Sequence, residues 1–332
     1  MSDGVHLPVL FDEAVAALAI KPHGIYVDAT FGRGGHARAI LAALSPRGHL
    51  IGIDRDPEAQ RAAEKLALAD SRFAFRRSRF SQLPDVLADV AGGKVDGVLL
   101  DLGISSPQID DRERGFSFQR DGPLDMRMDP TQGESVADFL CRASIAELTE
   151  VIRDYGEERY APAIAKAIVA ARARAPILRT RQLAEIVGAA AGARTRGDWR
   201  QDPATRTFQA LRIFANQELT EVTQTLPRVV SALATGGRCA VISFHSLEDR
   251  IVKRFFARAA QPYAGDAAVA RLAIRASALP GTPLTLIGRA RRASPAEIAR
   301  NPRSRSATLR VAERTGHPLP AHWPRGYLED AR

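Results

Sequence analysis

The sequence has little that would connect it with the cell exterior or with a membrane. Its 332 residues include only two cysteines, Cys141 and Cys239, which stand far apart and match no disulfide pattern. No apolar run is long enough to cross a bilayer, and residues 1–4 lack the basic and apolar regions of a signal peptide. The histidines and cysteines show no metal-ligand spacing. We therefore expect a cytoplasmic protein with no membrane segment and no metal.

Positive charge is what the sequence has in excess. The formal net charge is +9, and arginine supplies most of it. The planar guanidinium group suits phosphate oxygens, and a positive field of this size favours polyanionic partners such as nucleic acid. The charge alone leaves two alternatives open, a nucleic-acid partner or a basic protein without one.

Short apolar strands alternate with helical stretches in the first hundred residues, and the same pattern returns near the C-terminus. The predicted strands are 24–28, 50–54, 73–75, 95–101, 238–244, 284–287 and 308–311. Such alternation is typical of an α/β fold with a mainly parallel sheet. The strand at 95–101 is apolar enough to be buried on both faces.

The alternation is interrupted after residue 105 by a polar loop and alanine-rich helical stretches. We therefore predict a first core segment at 1–105, a helical insertion at 106–206 and a second core segment at 207–314. A single helix is predicted at about 207–226. The segment 315–332 is rich in proline and polar residues, and we expect it to be poorly ordered.

The strongest local signal for a ligand is the loop that follows the first strand, Asp28-Ala-Thr-Phe-Gly-Arg-Gly-Gly35. Glycines between a strand and a helix allow a tight turn and a close approach of the backbone to a ligand. Asp54 ends the next strand, where a carboxylate can reach ribose hydroxyls. A glycine-rich turn without a ligand is the alternative.

Two nucleotide cofactors fit this loop, because Gly32-x-Gly34-x-x-Ala37 also matches a dinucleotide fingerprint. A carboxylate at Asp28 would repel a pyrophosphate, whereas it would suit the cationic amino group of S-adenosylmethionine. The pair Asp28 and Asp54 therefore favours S-adenosylmethionine over NAD.

The fourth strand ends at Asp101 and leads into Leu-Gly-Ile-Ser-Ser-Pro-Gln108 at the carboxyl edge of the sheet, where ligands of open α/β folds bind. Methylation of an exocyclic amine needs an acceptor for the amine hydrogens and in-line geometry. Asp101 is a candidate acceptor, and a helix cap or a structural ion pair is its alternative role. Phe80 follows the third strand and either packs on adenine or belongs to the core.

Long motifs along the chain resemble the MraW (RsmH) family of methyltransferases. They include Asp101-Leu-Gly-Ile-Ser-Ser-Pro-Gln-Ile-Asp110, Pro203-Ala-Thr-Arg-Thr-Phe208, Ile242-Ser-Phe-His-Ser-Leu-Glu-Asp-Arg250 and Asn301-Pro-Arg-Ser-Arg-Ser306. The similarity runs in the same order over about residues 5–314. One departure is Asp202, where the family usually has histidine before the Pro-Ala-Thr-Arg motif.

The resemblance implies a Rossmann-like class I S-adenosylmethionine-dependent methyltransferase with an inserted helical domain. It also implies methylation of N4 of a cytosine in the decoding centre of 16S rRNA, within the small ribosomal subunit or a late assembly intermediate. The implied catalytic residue is Asp101. The implied cofactor contacts are Gly34, Gly35, His36, Asp54, Phe80, Asp101 and Gln108.

Substrate contacts are predicted from charge, aromatic character and position. Arginines alternate with aromatic residues in the loop that opens the insertion, and unpaired bases are held by such stacking. The candidates are Arg114, Phe116, Phe118, Arg206 and His245, and Arg303, Arg305 and Arg310 are further phosphate-binding candidates. A loop held together by Arg–Asp pairs, solvated arginines and a histidine bonded to its own turn are the alternatives.

Three other functions remain compatible with the residues alone. An NAD-dependent oxidoreductase would use the same glycine-rich loop. A methyltransferase acting on DNA or on another RNA would use the same cofactor, although no helix-turn-helix stands out. A non-catalytic RNA-binding factor would bind rRNA and transfer nothing.

Overall fold

The structure is a computed structural model that describes residues 8–88, 90–195, 202–261, 281–324 and 327, without the side chains of 91 and 193–195. It divides the chain into two compact units. The first comprises Met1–Gly103 and Leu219–Arg332, and the second comprises Ile104–Glu218. The second unit therefore extends beyond the predicted insertion at 106–206, because its last helix packs on the other helices of that unit.

The first unit is built on one sheet, in which the strands expected from the sequence are confirmed. The strands are β1 (Ile25–Asp28), β2 (His49–Asp54), β3 (Phe73–Arg77), β4 (Val95–Asp101), β5 (Leu233–Ser243), β6 (Leu284–Leu286), β7 (Arg291–Arg292) and β8 (Thr308–Arg314). Their order is β3-β2-β1-β4-β5-β8-β6, and β7 pairs with β8 beside this path. Strands β1 to β5 are parallel, whereas β8 runs antiparallel to β5.

The direction of winding reverses between β1 and β4, so the loops that follow these two strands diverge at the carboxyl edge and leave a crevice. Among the described residues, seven helices accompany the sheet: α1 (Phe11–Ala17), α2 (Gly35–Ala43), α3 (Pro57–Ala69), α4 (Leu83–Val86), α11 (Glu218–Ala232), α12 (Ser246–Ala260) and α13 (Pro295–Arg300). This is the Rossmann-like class I methyltransferase fold that the sequence predicted.

Both faces of the sheet are buried, as the apolar run of β4 indicated. Val98 and Leu100 belong to one core cluster, and Leu99 between them belongs to another. Since successive side chains of a strand point to opposite faces, the two clusters fill the two sides of the sheet. The sheet is thereby fixed at its centre, where β1 and β4 carry the loops of the site.

The second unit is helical and has its own core. Its helices are α5 (Ser106–Asp110), α6 (Val136–Arg142), α7 (Ile145–Gly156), α8 (Ala161–Arg172), α9 (Thr180–Thr195) and α10 (Ala204–Asn216). Ser105, Ser135 and Ser144 begin three of these helices with capping boxes, which satisfy the free amide groups of the first turn. No helix among the described residues is long and apolar enough to cross a membrane.

The prediction of one helix at 207–226 is wrong, because the chain breaks between α10 and α11. Gln217 adopts a left-handed conformation with φ of 54°, which ends α10. Asn216 fastens that end to the second unit, since its amide donates to the carbonyl of Met126 at 2.7 Å and its oxygen accepts from the amide of Met128 at 2.8 Å. Helix α10 therefore belongs to the second unit and α11 to the first.

The segment 315–332, expected to be poorly ordered, contacts the first unit through some of its described residues. Trp323 donates from Nε1 to Ser231 Oγ at 2.9 Å, and its ring packs on Phe255 and Tyr327. Tyr327 is only 8% exposed. The two aromatic side chains bury enough apolar surface to hold this part of the chain on the core. Residues 325–326 and 328–332 lie outside the described residues.

Candidate active site

The glycine-rich loop between β1 and α2 forms the centre of the site. Gly34 has φ of 75° and is the N-cap of α2, and a Cβ there would lie 2.7 Å from the Phe31 ring. Gly32 also has positive φ, at 54°, and its amide donates to Asp54 Oδ2 at 2.8 Å. Glycine is thus required at 34 by both conformation and space. The loop leaves Gly35 and His36 in the first turn of α2, beside the sheet edge.

Asp54 lies at the carboxyl end of β2, as predicted. Its Oδ2 accepts from Gly32, and its Oδ1 accepts from the amide of Asp56 at 2.9 Å. Burial raises the pKa of Asp54 above its ordinary value, although both accepted hydrogen bonds act against the rise. Each oxygen keeps a further lone pair, which is the acceptor pattern that ribose hydroxyls need.

Asp101 lies at the end of β4, and its backbone is tied to the glycine-rich loop. Its amide donates to Thr30 Oγ1 at 2.7 Å. Its Oδ1 is buried and has no hydrogen-bond partner among the described residues, while Oδ2 lies 3.7 Å from His36 Nδ1. The side chain as a whole is 22% exposed, so Asp101 is accessible at one oxygen and enclosed at the other.

The site contains several carboxyl groups that disfavour one another's ionisation. Burial, opposed by a hydrogen bond from Thr30 and aided by Asp54, raises the pKa of Asp28 to about 7. Burial, followed by repulsion from Asp28 and Glu248, raises the pKa of Asp101 well above its usual range. A cation bound here would relieve this repulsion and favour the ionised carboxylates.

His36 does not supply that cation. It is 5% exposed, stacks on Phe11 with ring centroids 5.7 Å apart, and has a buried Nε2 without a hydrogen-bond partner among the described residues. Burial lowers the pKa of His36 to about 4, so its ring is neutral at neutral pH. Two buried polar atoms, His36 Nε2 and Asp101 Oδ1, are therefore available to a ligand.

Phe80 follows β3 and is half-buried against the core. Its two neighbours are both held by α11. Arg79 Nη1 pairs with Glu221 Oε1 at 3.2 Å, and Arg228 Nη1 donates to the carbonyl of Ser81. The ring is thus placed by its flanking residues, with part of its surface left open. This arrangement is compatible with both readings of Phe80, adenine packing and a partial core role.

His245 lies just beyond β5, at the same sheet edge, and bonds to its own turn. It is the N-cap of α12, where Nδ1 accepts from the amide of Glu248 at 3.4 Å and Nε2 lies 3.3 Å from Glu248 Oε1. Glu248 returns a bond by accepting from the amide of Phe244 at 2.9 Å. A substrate contact by His245 stays a prediction. Glu248 was not among the predicted residues, and its only signal was its position three residues after a helix cap.

In the second unit, the aromatic candidates are more buried than a base-stacking role requires. Phe116 is 8% exposed and belongs to the core cluster of that unit, and its role as a stacking residue stays a prediction. Phe118 is half-buried and meets Phe208 edge to face with centroids 4.8 Å apart. Its free face leaves the prediction for Phe118 open.

The polar candidates of the second unit are held by backbone contacts. Gln108 is 6% exposed, and its Oε1 accepts from the amide of Ser105 at 2.9 Å in the capping box of α5. Arg114 is half-buried and donates from Nη2 to the carbonyls of Arg127 and Met128 at 3.1 and 2.8 Å. The exposed Arg206 donates to the carbonyl of Glu157 at 3.2 Å. Binding roles for Gln108, Arg114 and Arg206 stay predictions.

Comparison with known proteins identifies relatives over nearly the whole chain. A protein of Azoarcus sp. (strain BH72) is 58% identical over 311 residues, which cover 94% of this chain and 97% of the relative. A protein of Thiobacillus denitrificans is 57% identical and covers 93% and 97% of the two chains. One of Neisseria meningitidis serogroup B is 55% identical and covers 95% and 94%. All three are named ribosomal RNA small subunit methyltransferase H.

The family profile gives the same answer independently. The MraW methylase family matches residues 3–315, which include all of the second unit and the first unit except residues 1–2 and 316–332. The match therefore contains every candidate residue of the site. With the carboxylates and glycines placed at the crevice of a class I methyltransferase sheet, the chain belongs to the MraW methylase family.

Proposed function

We propose that the protein transfers a methyl group from S-adenosylmethionine to N4 of a cytosine in the decoding centre of 16S rRNA. Membership of the MraW methylase family over residues 3–315 carries this proposal. Relatives at 55–58% identity are named as methyltransferases of small-subunit ribosomal RNA, which supports the substrate class. The amine as the methyl acceptor follows from the resemblance and fits an acceptor residue at Asp101.

The residues of the first unit fit the proposed cofactor. S-adenosylmethionine is cationic at its sulfonium and amino groups, and the crevice offers Asp28 and Asp101, whose pKa values are raised by burial and by neighbouring carboxylates. Asp54 offers acceptors for the ribose, and Phe80 offers a half-exposed ring for adenine. The proposed contacts are Gly34, Gly35, His36, Asp54, Phe80, Asp101 and Gln108.

When bound, S-adenosylmethionine supplies an electrophilic methyl group whose departure neutralises the sulfonium. The work of the chain is then to orient the amine and receive its hydrogens. Asp101 is held from behind by the 2.7 Å bond between its amide and Thr30, so its carboxylate keeps a fixed position at the sheet edge. As a carboxylate it accepts a hydrogen bond from the amine, which returns electron density to the nitrogen.

The amine loses one proton in the overall reaction, and Asp101 is the candidate to receive it. The raised pKa of Asp101 makes this carboxyl a stronger base than an exposed aspartate. The neutral ring of His36, with Nδ1 3.7 Å from Asp101 Oδ2, faces the same carboxylate. Asp101 is therefore proposed both to orient the amine and to accept its proton.

The proposed RNA contacts follow charge and exposure. The candidates for the nucleotides around the target are Arg114, Phe116, Phe118, Arg206 and His245, of which Phe116 also belongs to the core of the second unit. The proposed substrate is 16S rRNA in the small ribosomal subunit or in a late assembly intermediate. Those two forms of the substrate differ in accessibility of the decoding centre rather than in chemistry.

The test is transfer of labelled methyl from S-adenosylmethionine to small ribosomal subunits from cells that lack this gene. Nuclease digestion and mass spectrometry then locate the label. Label on N4 of a decoding-centre cytosine is the expected result. Label on another base, on another RNA or on DNA would contradict the proposal while retaining the enzyme class. Binding of rRNA without any transfer, with cofactor binding intact, would favour a non-catalytic factor.

A further inference from the structure

An arginine-rich segment at 289–305 belongs to the first unit and has no role in the site described above. It includes β7, α13 and a 3-10 helix at Pro302–Ser306. Six arginines and one glutamate give it a formal charge of +5, against +9 for the whole chain. More than half of the net positive charge thus lies in a short, continuous stretch.

Strand register places this segment at the same edge of the sheet as Asp101. Asp101 of β4 pairs with Ile242 of β5, Ile242 with Leu309 of β8, and Leu309 with Arg291 of β7. These four residues form one row across the sheet. With neighbouring strands about 4.8 Å apart, Arg291 lies roughly 14 Å from Asp101 along the edge. That distance is the span of about four stacked nucleotides at 3.4 Å each.

All six arginines of the segment are exposed. Five of them form no ion pair with any residue that the structure describes, namely Arg289, Arg291, Arg292, Arg300 and Arg305. Arginines elsewhere are commonly neutralised, as in the pairs Arg310–Asp249 at 2.7 Å and Arg212–Glu218 at 2.8 Å. The charge of the segment is therefore available to a polyanion.

The backbone under these arginines is fixed. Ser304 and Ala307 are fully buried, and Ser304 Oγ donates to the carbonyl of Asn301 at 2.7 Å. Glu297, the one acidic residue of the segment, accepts from the amide of Leu10 at 2.7 Å and so is engaged elsewhere. A charged surface on a fixed backbone binds phosphates with little loss of conformational entropy.

We infer that residues 289–305 bind the phosphate backbone of the RNA a few nucleotides from the target base. The inference rests on the proposed function, because an RNA substrate supplies the phosphates. Arg291, on the row of Asp101, and Arg292, on the next row, contact the nearer phosphates. Arg300 and Arg305 contact those further along the strand. The interaction is electrostatic and independent of sequence, and it sets the register of the RNA rather than the choice of base.

The test compares variants that remove two charges at each place. The pair R291Q/R292Q changes the row of Asp101 and the row next to it, and R300Q/R305Q changes helical positions outside the sheet. The matched control, R47Q/K94Q, removes two exposed charges just before β2 and β4, at the opposite edge. We measure the KM for small ribosomal subunits, the Kd for S-adenosylmethionine, and the Kd of radiolabelled 16S rRNA transcripts across a salt series.

For R291Q/R292Q we expect roughly a tenfold rise in KM and in the Kd for RNA at about 0.1 M salt, with kcat and cofactor Kd within twofold of wild type. The slope of log Kd against log salt falls by roughly 1.4, since each single-strand phosphate contact contributes about 0.7. The pair R300Q/R305Q shows a smaller loss of the same kind, and the control shows none.

The inference is overturned if both variants have the same Kd for RNA, and the same slope of log Kd against log salt, as the control. A fall in cofactor affinity in R291Q/R292Q would indicate damage to the sheet. In that case the RNA Kd and salt slope of R300Q/R305Q decide whether the segment binds phosphate. If wild-type protein transfers no methyl group, the proposed function fails. The RNA-binding measurements still decide whether this segment binds phosphate, so the two failures are distinguishable.

Discussion

Replacing Asp28 with asparagine is expected to stabilise the protein at alkaline pH and to weaken its binding of S-adenosylmethionine. Asp28 is 1% exposed, and burial raises its pKa from 3.8 to about 7. The folded state therefore binds the proton more tightly than the unfolded state does. The contribution of protonated Asp28 to the free energy of unfolding is fully present below pH 3.8 and is lost as the pH rises through about 7.

The size of this loss follows from the pKa difference. Moving the pKa from 3.8 to 7 corresponds to about 4 kcal/mol between acid and alkaline pH, at 1.36 kcal/mol per pH unit. About 2–3 kcal/mol of this falls between pH 5 and pH 8. Asparagine cannot ionise, yet it keeps an oxygen for the amide of Thr30, which lies 3.3 Å from Asp28 Oδ1. The D28N variant should therefore lack this pH-dependent loss.

The assay is urea unfolding of both proteins between pH 5 and pH 9, in a W199F background. Trp323 then reports the first unit alone, since its ring packs on Phe255 and Tyr327. The control is D70N, because Arg72 holds the pKa of Asp70 below its usual value and its contribution is lost as the pH falls. A difference between D28N and wild type that is constant from pH 5 to pH 8 would refute the reasoning.

Three further outcomes follow from the same structure. In D101N we expect methyl transfer to fall by about a hundredfold or more and cofactor Kd to rise, whereas D96N at the other end of β4 should retain normal turnover. The Kd for S-adenosylmethionine should fall as the pH rises from 6 to 8, because a bound cation favours the ionised forms of Asp28 and Asp101. Calorimetry should show that binding releases protons, and that S-adenosylhomocysteine, whose sulfur is uncharged, releases fewer of them. F116A should cost about 3–5 kcal/mol of unfolding free energy, measured by denaturation, whereas F118A should chiefly raise the KM for RNA.

The strands could be predicted because burial on both faces leaves a continuous apolar signal, as in Val95–Asp101. The carboxylates at strand ends followed directly, since parallel strands bring Asp54 and Asp101 to one edge. Strand β7 was not predictable in the same way. It is two exposed arginines, and its pairing depends on β8 rather than on its own side chains.

Other features could not be predicted because the same local sequence pattern occurs in two structural environments. Arginines alternating with phenylalanines occur both on RNA-binding loops and at the border of a core, and burial of Phe116 was decided by the helices around it. The break at Gln217 was hidden because glutamine rarely adopts positive φ, and Asn216 holds the helix end through bonds to residues about 90 positions earlier. Glu248 was missed because its carboxylate reaches the sheet edge from a helix.

The division of the first unit between two segments has a consequence for biosynthesis. Strand β4 pairs with β5 at the centre of the sheet, yet the whole second unit lies between them in the chain. A nascent chain emerges from its N-terminus, so the helical unit is complete before β5 and β8 exist. We expect Ile104–Glu218 to fold on the ribosome first, while the edge of β4 that later pairs with β5 is still unpaired. The sheet that carries the site is therefore completed last, when β5 pairs with the open edge of β4.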